Sequence, residues 1–216
     1  MSSYVFDQTW KREHARLRAL EDLFDGASIR HLAERGVGAG WRCLEVGCGA
    51  GGVARWLAER VGASGRVLAT DLDLRFLPDH GRGNLEVQRH NILTDPLEEG
   101  TFDLVHERAL LVHVPGRQQA LKRMVAAVRP GGWVVAEDPD HGGAMIPALS
   151  RYVDPPEHAE LWERVFHGLD GLFTGVGADA SFGPRLPRAL AEAGLEQIGA
   201  ELHTPLLHGG QGAFCG

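Results

Sequence analysis

RCLEVGCGAGG, Arg42 to Gly52, is a short apolar strand pattern that runs into four glycines within six residues. Glycines 47, 49, 51 and 52 directly after a strand predict a tight strand-to-helix turn whose bare backbone lets a ligand come close. Gly47, Gly49 and Gly52 fit G-x-G-x-x-G, the layout of a dinucleotide site. The same loop also fits E-x-G-x-G-x-G, from Glu45 through Gly47, Gly49 and Gly51. An ionised Glu45 two residues ahead of the first glycine works against a pyrophosphate at a helix N-terminus and suits an amino group instead.

Outward from this loop, strand and helix patterns alternate. GVARWLAERVG reads as helix, GRVLATD as strand, LDLRFLPDH as a short helix and NLEVQRHNI as strand. TFDLVHE then reads as strand, GRQQALKRMVAAVRP as helix and GWVVAEDPD as strand. Several of these strands are apolar on both faces, which predicts an α/β fold: a Rossmann-like, doubly wound, mostly parallel sheet with helices on each side. Before the loop, Tyr4 to Leu23 has helical periodicity with Asp7 as its cap, and a second helix is expected from Ser28 to Arg35. After it, helices are expected at Pro156 to Leu172 and Pro184 to Ala193, and LEQIGAELH reads as a sixth strand. The chain of 216 residues is expected to be one domain: residues 1–40 a helical cap, 41–140 a ligand-binding core, and 141–216 the acceptor-side helices with the last strand.

Composition narrows the function classes. The 29 acidic and 22 basic residues are mixed along the chain, so no basic stripe is offered to a nucleic acid. No apolar run approaches the ~20 residues of a membrane span, and the charged N-terminus is unlike a secretory signal. A cytoplasmic protein is expected. Cys43, Cys48 and Cys215 form no CxxC pair, which argues against disulfides or a cysteine zinc site. The 11 histidines include no HxH or HxxxH pair with acidic support, so no metal site is expected.

The ends of the later strands supply ligand chemistry. Asp71, 20 residues after Gly51, can accept hydrogen bonds from both ribose hydroxyls. Asn91 can read an adenine amino edge while Ile92 packs on the ring; Asn91 is equally at home as a turn residue. Glu107 and Arg108 end the fourth strand, where open α/β sheets place their ligands. A nucleoside with an amino group and no phosphate fits this set, and S-adenosylmethionine is such a molecule.

LEVGCGAGG, VLATDLD, FDLVHERALLVHV and RPGGWVVAED, in this order, resemble the class I S-adenosylmethionine-dependent methyltransferases, most closely the small-molecule group related to quinone-biosynthesis methyltransferases. The resemblance runs from Tyr4 to Leu207. It implies methyl transfer to a small molecule, a cofactor site that includes Leu72, and an N-terminal segment closing over the methionine end. On that basis Tyr4 and Arg16 are candidates to meet the cofactor carboxylate. His113, after the fourth strand, is the candidate base, with Asp138, Asp140 and His141 as other contributors. Trp162, Phe166, Leu169, Leu172 and Phe173 read either as the wall of an apolar acceptor pocket or as core.

The group ordinarily ends with a seventh, antiparallel strand, and nothing after Thr204 is long enough to serve. That departure leaves room for a truncated, catalytically inactive partner subunit, or for a homodimer that covers the gap. A nicotinamide-dependent oxidoreductase is the remaining alternative, disfavoured by Glu45 and by the lack of a Tyr-x-x-x-Lys pair.

Overall fold

The computed structural model describes residues 13–77, 81–142 and 145–204. Its centre is a five-stranded, all-parallel sheet of β1 (Arg42–Val46), β2 (Arg66–Asp71), β3 (Leu85–Arg89), β4 (Phe102–Arg108) and β5 (Val128–Glu137), in the order β3-β2-β1-β4-β5. Cys43 and Leu44 of β1 and Leu104 and Val105 of β4 have no exposed surface, which requires cover on both faces of the sheet. One face packs Cys43, Val67, Ala69 and Leu104 against Leu32 of α1 (Glu13–Glu34) and Val53, Leu57 and Val61 of α2 (Gly52–Val61). The other packs Leu44, Val46 and Val105 against Leu121 and Met124 of α3 (Arg117–Ala127) and Leu186 of α6 (Leu186–Glu192). Between β5 and α6 lie α4 (Met145–Ser150) and α5 (Ala159–Gly175), which pack on one another.

Strand register decides which side chains meet. Glu45 stands opposite His106 of β4, and His106 opposite Val135 of β5. Side chains two apart share a face, so Glu45, His106, Arg108 and Glu137 all point toward α1.

Several expected elements differ. The two N-terminal helices are one, because α1 runs through Gly26 without a break, held to the sheet by Asp25 and Ser28, which both bond Arg108. The Tyr4 start and the Asp7 cap lie outside the described residues. Residues 72–77 form a turn, where Asp73 accepts from the Arg75 backbone N–H at 3.1 Å. β5 begins at Val128, with a bulge over residues 129–132 that places Phe102 opposite Val128 and Leu104 opposite Trp133. The expected sixth strand does not form: Gly194 and Gln197 have φ of 96° and 55°, which breaks an extended run, and residues 195–204 contain no strand. That segment is instead tied to α1 by an ion pair between Glu201 and Arg30. The question of a seventh strand falls on residues 205–216, outside the described residues.

Leu104 is at the centre of both sheet and core. Leu104→Ala is expected to cost ~2–5 kcal/mol, seen as a lower urea midpoint with an unchanged slope; a loss under ~1 kcal/mol would mean that the site collapses around the gap.

Candidate active site

The chain leaves β1 toward β2 on one side and returns as β4 on the other, so the carboxyl ends of β1 and β4 splay apart at the switch point of the sheet. The glycine loop lies here. Gly47 and Cys48 both donate to the Thr70 carbonyl, at 2.8 and 3.0 Å, which lays the loop across the end of β2. A Cβ at Gly51 would sit 2.5 Å from Leu77, and φ there is 87°, so only glycine fits. Gly47 is similar, with φ of 74° and Leu110 3.0 Å from its would-be Cβ. Glycine at these two positions lets Leu110 and Leu77 pack directly on the loop backbone.

Asp71 is joined to the loop. Its carboxylate accepts from Gly49 N at 2.9 Å and from Asp73 N at 3.1 Å. Burial raises its pKa, and the backbone hydrogen bonds oppose that rise. Leu72 follows it and is 43% exposed. Asn91 closes a turn: its side-chain oxygen accepts from Leu93 N at 3.0 Å, and its own N–H donates to Asp95 at 2.9 Å. Ile92 is buried in the α3-side core, which leaves little of its side chain for a ring to rest on.

A cleft of about 1580 Å³ opens beside the loop, and its wall brings together Arg16, Glu45, Gly47, Gly49, Arg108 and His113 of the expected residues. It does not include Gly51, Asp71, Leu72, Asn91 or Ile92, nor Glu107, which points to the α3 side. There Glu107 is fully buried and accepts from Leu110 N at 3.0 Å. Burial and the neighbouring Asp138 push its pKa well up. Asp138, at the end of β5, accepts from Val112 N at 3.2 Å and is raised by burial to about 7. The turn that carries His113 is thus pinned by two carboxyl groups. His113 packs against Phe173, the ring centroids 5.3 Å apart and the planes tilted by 30°. Burial, then the charge of Arg16 and the nearby His141, lower the His113 pKa to about 4, which keeps its ring neutral.

Glu45 has a different partner from the one expected. Its carboxylate takes a 2.6 Å hydrogen bond from His106 Nδ1, and both side chains are buried. On the far side, His106 Nε2 is 3.5 Å from Glu137, an ion pair too long for a strong hydrogen bond. Burial alone would lower the His106 pKa, but Glu45 and Glu137 outweigh it and lift it to about 10. Glu137 also bonds His31 Nδ1 at 2.6 Å and Ser28 Oγ at 2.5 Å. Burial works to raise its pKa, and His106, His31 and Ser28 bring it down to about 2. Arg108 donates to Ser28 Oγ at 2.8 Å and pairs with Asp25 at 2.7 Å. Arg16 is held by Glu13 through two hydrogen bonds of 2.8 and 2.7 Å.

Sequence reading missed His31, Ser28, Glu137 and Glu21, because their roles depend on α1 lying over β4 and β5. Glu21 accepts from Gly52 N at 2.5 Å, at the N-terminus of α2, and a Cβ at Gly52 would meet Asp25. Two carboxylates therefore face the helix end where a phosphate would bind.

Comparison with known proteins agrees with this geometry. A family model described as a methyltransferase domain matches residues 44–136. The methyltransferase str3 of Strobilurus tenacellus is 33% identical over 138 residues, which cover 62% of this chain and 47% of that protein. The ubiquinone/menaquinone biosynthesis C-methyltransferase UbiE of Hahella chejuensis is 33% identical over 109 residues, 47% of this chain and 44% of that one. The crystal structure of an S-adenosylmethionine-dependent methyltransferase from Aquifex aeolicus superposes with a TM-score of 0.59 at 20% identity, covering 88% of this chain and 89% of its own, a likeness of fold. Residues 44–136 are thus similar to a methyltransferase domain, and the chain as a whole shares its fold with a solved S-adenosylmethionine-dependent methyltransferase. The chain spans about half the length of the curated relatives it matches.

The His106 charge has a pH signature. A histidine raised from 6.5 to about 10 contributes its full stability below pH 6.5 and loses it as pH rises toward 10. Glu137, lowered from 4.5 to about 2, contributes fully above pH 4.5 and loses its share as pH falls toward 2. His106→Gln, which leaves Glu45 and Glu137 without their cation, is expected to cost ~3–5 kcal/mol near neutral pH. Thermal melts should also lose part of the wild-type decline between neutral pH and pH 10; the same decline in the variant would show that His106 is not charged.

Proposed function

We propose that the chain catalyses methyl transfer from S-adenosylmethionine to a small-molecule acceptor in the cleft at the carboxyl ends of β1, β4 and β5. The observation that carries this reading is the Glu21 carboxylate on Gly52 N. It takes the backbone N–H at the helix end that a pyrophosphate would need, and it is itself paired with Arg18 and Arg55, so that donor is already satisfied without a phosphate. When bound, S-adenosylmethionine supplies an electrophilic methyl group on its sulfonium.

The residues present fit that ligand. Asp71 keeps acceptor capacity for the ribose beside its bond to Gly49. Arg16, with Tyr4, is proposed to hold the methionine carboxylate. Leu72, Asn91 and Ile92 are proposed for the adenosine end, and Glu107 acts through the turn it anchors. The acceptor rests against Phe166 and Phe173 of α5, which suits an apolar or aromatic small molecule. Orientation and a water-poor cleft are the protein's main contribution, a kind of positioning that reaches ~7–11 kcal/mol.

His113 is the proposed base for an acceptor that must lose a proton. Its neutral ring has a lone pair to accept one at pH 7, and Asp138, Asp140 and His141 stand in the same wall. The reading places the enzyme in the cytoplasm, with residues 1–40 as cap, 41–140 as cofactor core and 141–216 on the acceptor side. Its partners are the acceptor and a second copy of the chain, and not nucleic acid.

Calorimetric titration with S-adenosylmethionine, S-adenosylhomocysteine and NADH tests this directly. The first two should saturate and weaken at least about tenfold in Asp71→Ala, the scale of two lost charge-assisted hydrogen bonds. Saturable NADH binding in their place would replace the proposal with a nicotinamide enzyme. Cofactor binding without turnover on any apolar acceptor would favour a catalytically inactive partner subunit.

A further inference from the structure

Helix α5 is apolar on two sides. Phe166 and Phe173 face the cleft, while Leu161, Val165, Leu169, Leu172 and Val176 are 57, 51, 42, 63 and 37% exposed. Five large apolar side chains open to solvent on one helix are not a scatter of single residues. At 1.5 Å per residue they form a stripe about 22 Å long. Helical spacing puts Gly168 and Gly175 on the same side, and Glu160, Glu163, His167 and Asp170 on the other.

The order of the stripe is its second feature. Positions 161, 165 and 168 mirror 176, 172 and 169 about the point between Gly168 and Leu169. An antiparallel copy of the same helix, related by a two-fold axis through that point, brings Leu161 against Val176, Val165 against Leu172, and Gly168 against Leu169. A Cβ at Gly168 would meet nothing within 4 Å, so the space above it is open to the leucine of a facing helix. A two-fold contact sets a surface against itself, which penalises charge; the stripe itself is uncharged, with the exposed Arg164 at its edge beside Gly175.

We propose that α5 is the dimerisation helix of this protein, pairing with α5 of a second copy across a two-fold axis between Gly168 and Leu169. The area agrees with a modest affinity. The stripe offers on the order of 400 Å² per subunit, so the pair buries roughly 800 Å², below the standard interface and within the range of reversible association. A lipid surface is the poorer occupant, because helices that lie on membranes carry several Lys and Arg beside the apolar face, whereas α5 has the single Arg164 against Glu160, Glu163 and Asp170. The pairing goes beyond methyl transfer and rests on the helix face alone. Its consequence for the cleft is mechanical: the helix that carries Phe166 and Phe173 gains support on its outer side.

Sedimentation velocity of the full chain between about 1 and 100 µM, the range expected of so small an interface, provides the test. Wild type should shift reversibly from monomer to dimer. Leu161→Glu combined with Leu172→Glu should remain a monomer with wild-type circular dichroism and S-adenosylmethionine affinity, and His167→Glu, on the polar side, should dimerise as wild type does. In a Cys215→Ser background, Gly168→Cys should give a covalent dimer on oxidation and Glu163→Cys should not. A wild-type monomer at every concentration, a dimer that survives the double substitution, or equal cross-linking at both cysteines would overturn the proposal. A monomer that co-floats with phosphatidylglycerol vesicles would overturn it too, giving the face to a membrane.

Discussion

The buried run of charge from Glu45 through His106 to Glu137 governs how the rest of the molecule is assembled. Three adjacent strands each supply one member, and the register of a parallel sheet is what sets them side by side. Ionised side chains in such a place are costly unless they are fully paired, so the strands cannot slip by one residue without stranding a carboxylate or an imidazolium in the core. The outer end of the run is completed by His31 and Ser28, which makes α1 part of the same electrostatic unit. A helix that could otherwise slide over an apolar face is fixed in angle and height.

That placement has a direct effect on the cleft. With α1 seated, Glu21 reaches Gly52 N and Asp25 reaches Arg108, and the glycine loop is bounded by acid on the side away from the sheet. The side chain that occupies the Gly52 N–H therefore comes from a helix some 30 residues before the loop. The loop itself is permissive: its glycines fit the pattern of a nucleoside site or of a dinucleotide site alike.

This division explains what could be read in advance. The glycine loop, the parallel sheet and Asp71 were legible, because left-handed turns demand glycine and a sheet covered on both faces demands continuous apolar strands. Glu45 stood out as an acid in an apolar strand but not as the partner of His106, since the two lie 61 residues apart and meet only through strand pairing. LEQIGAELH alternates like a strand, yet Gly194 and Gln197 adopt positive φ, a backbone property that alternation does not encode. The spacing of Leu172 fits pocket wall or core alike. Periodicity identifies an apolar helix face and is silent about what covers it, and here the face is open to solvent. Asn91 holds a turn through its backbone N–H and side-chain oxygen, a use that its residue type shares with many loops.

β5 is the outermost strand on its side of the sheet, and the bulge over residues 129–132 interrupts its edge near the start. Pro130 has no N–H to donate, Gly131 turns the chain with φ of 77°, and Arg129 pairs with Asp103 across the bulge. An incoming strand would find neither a straight row of donors nor an uncharged approach. Among the described residues, a strand adding to this side of the sheet could therefore pair only beyond the bulge, along residues 133–137, and would have to start its register there.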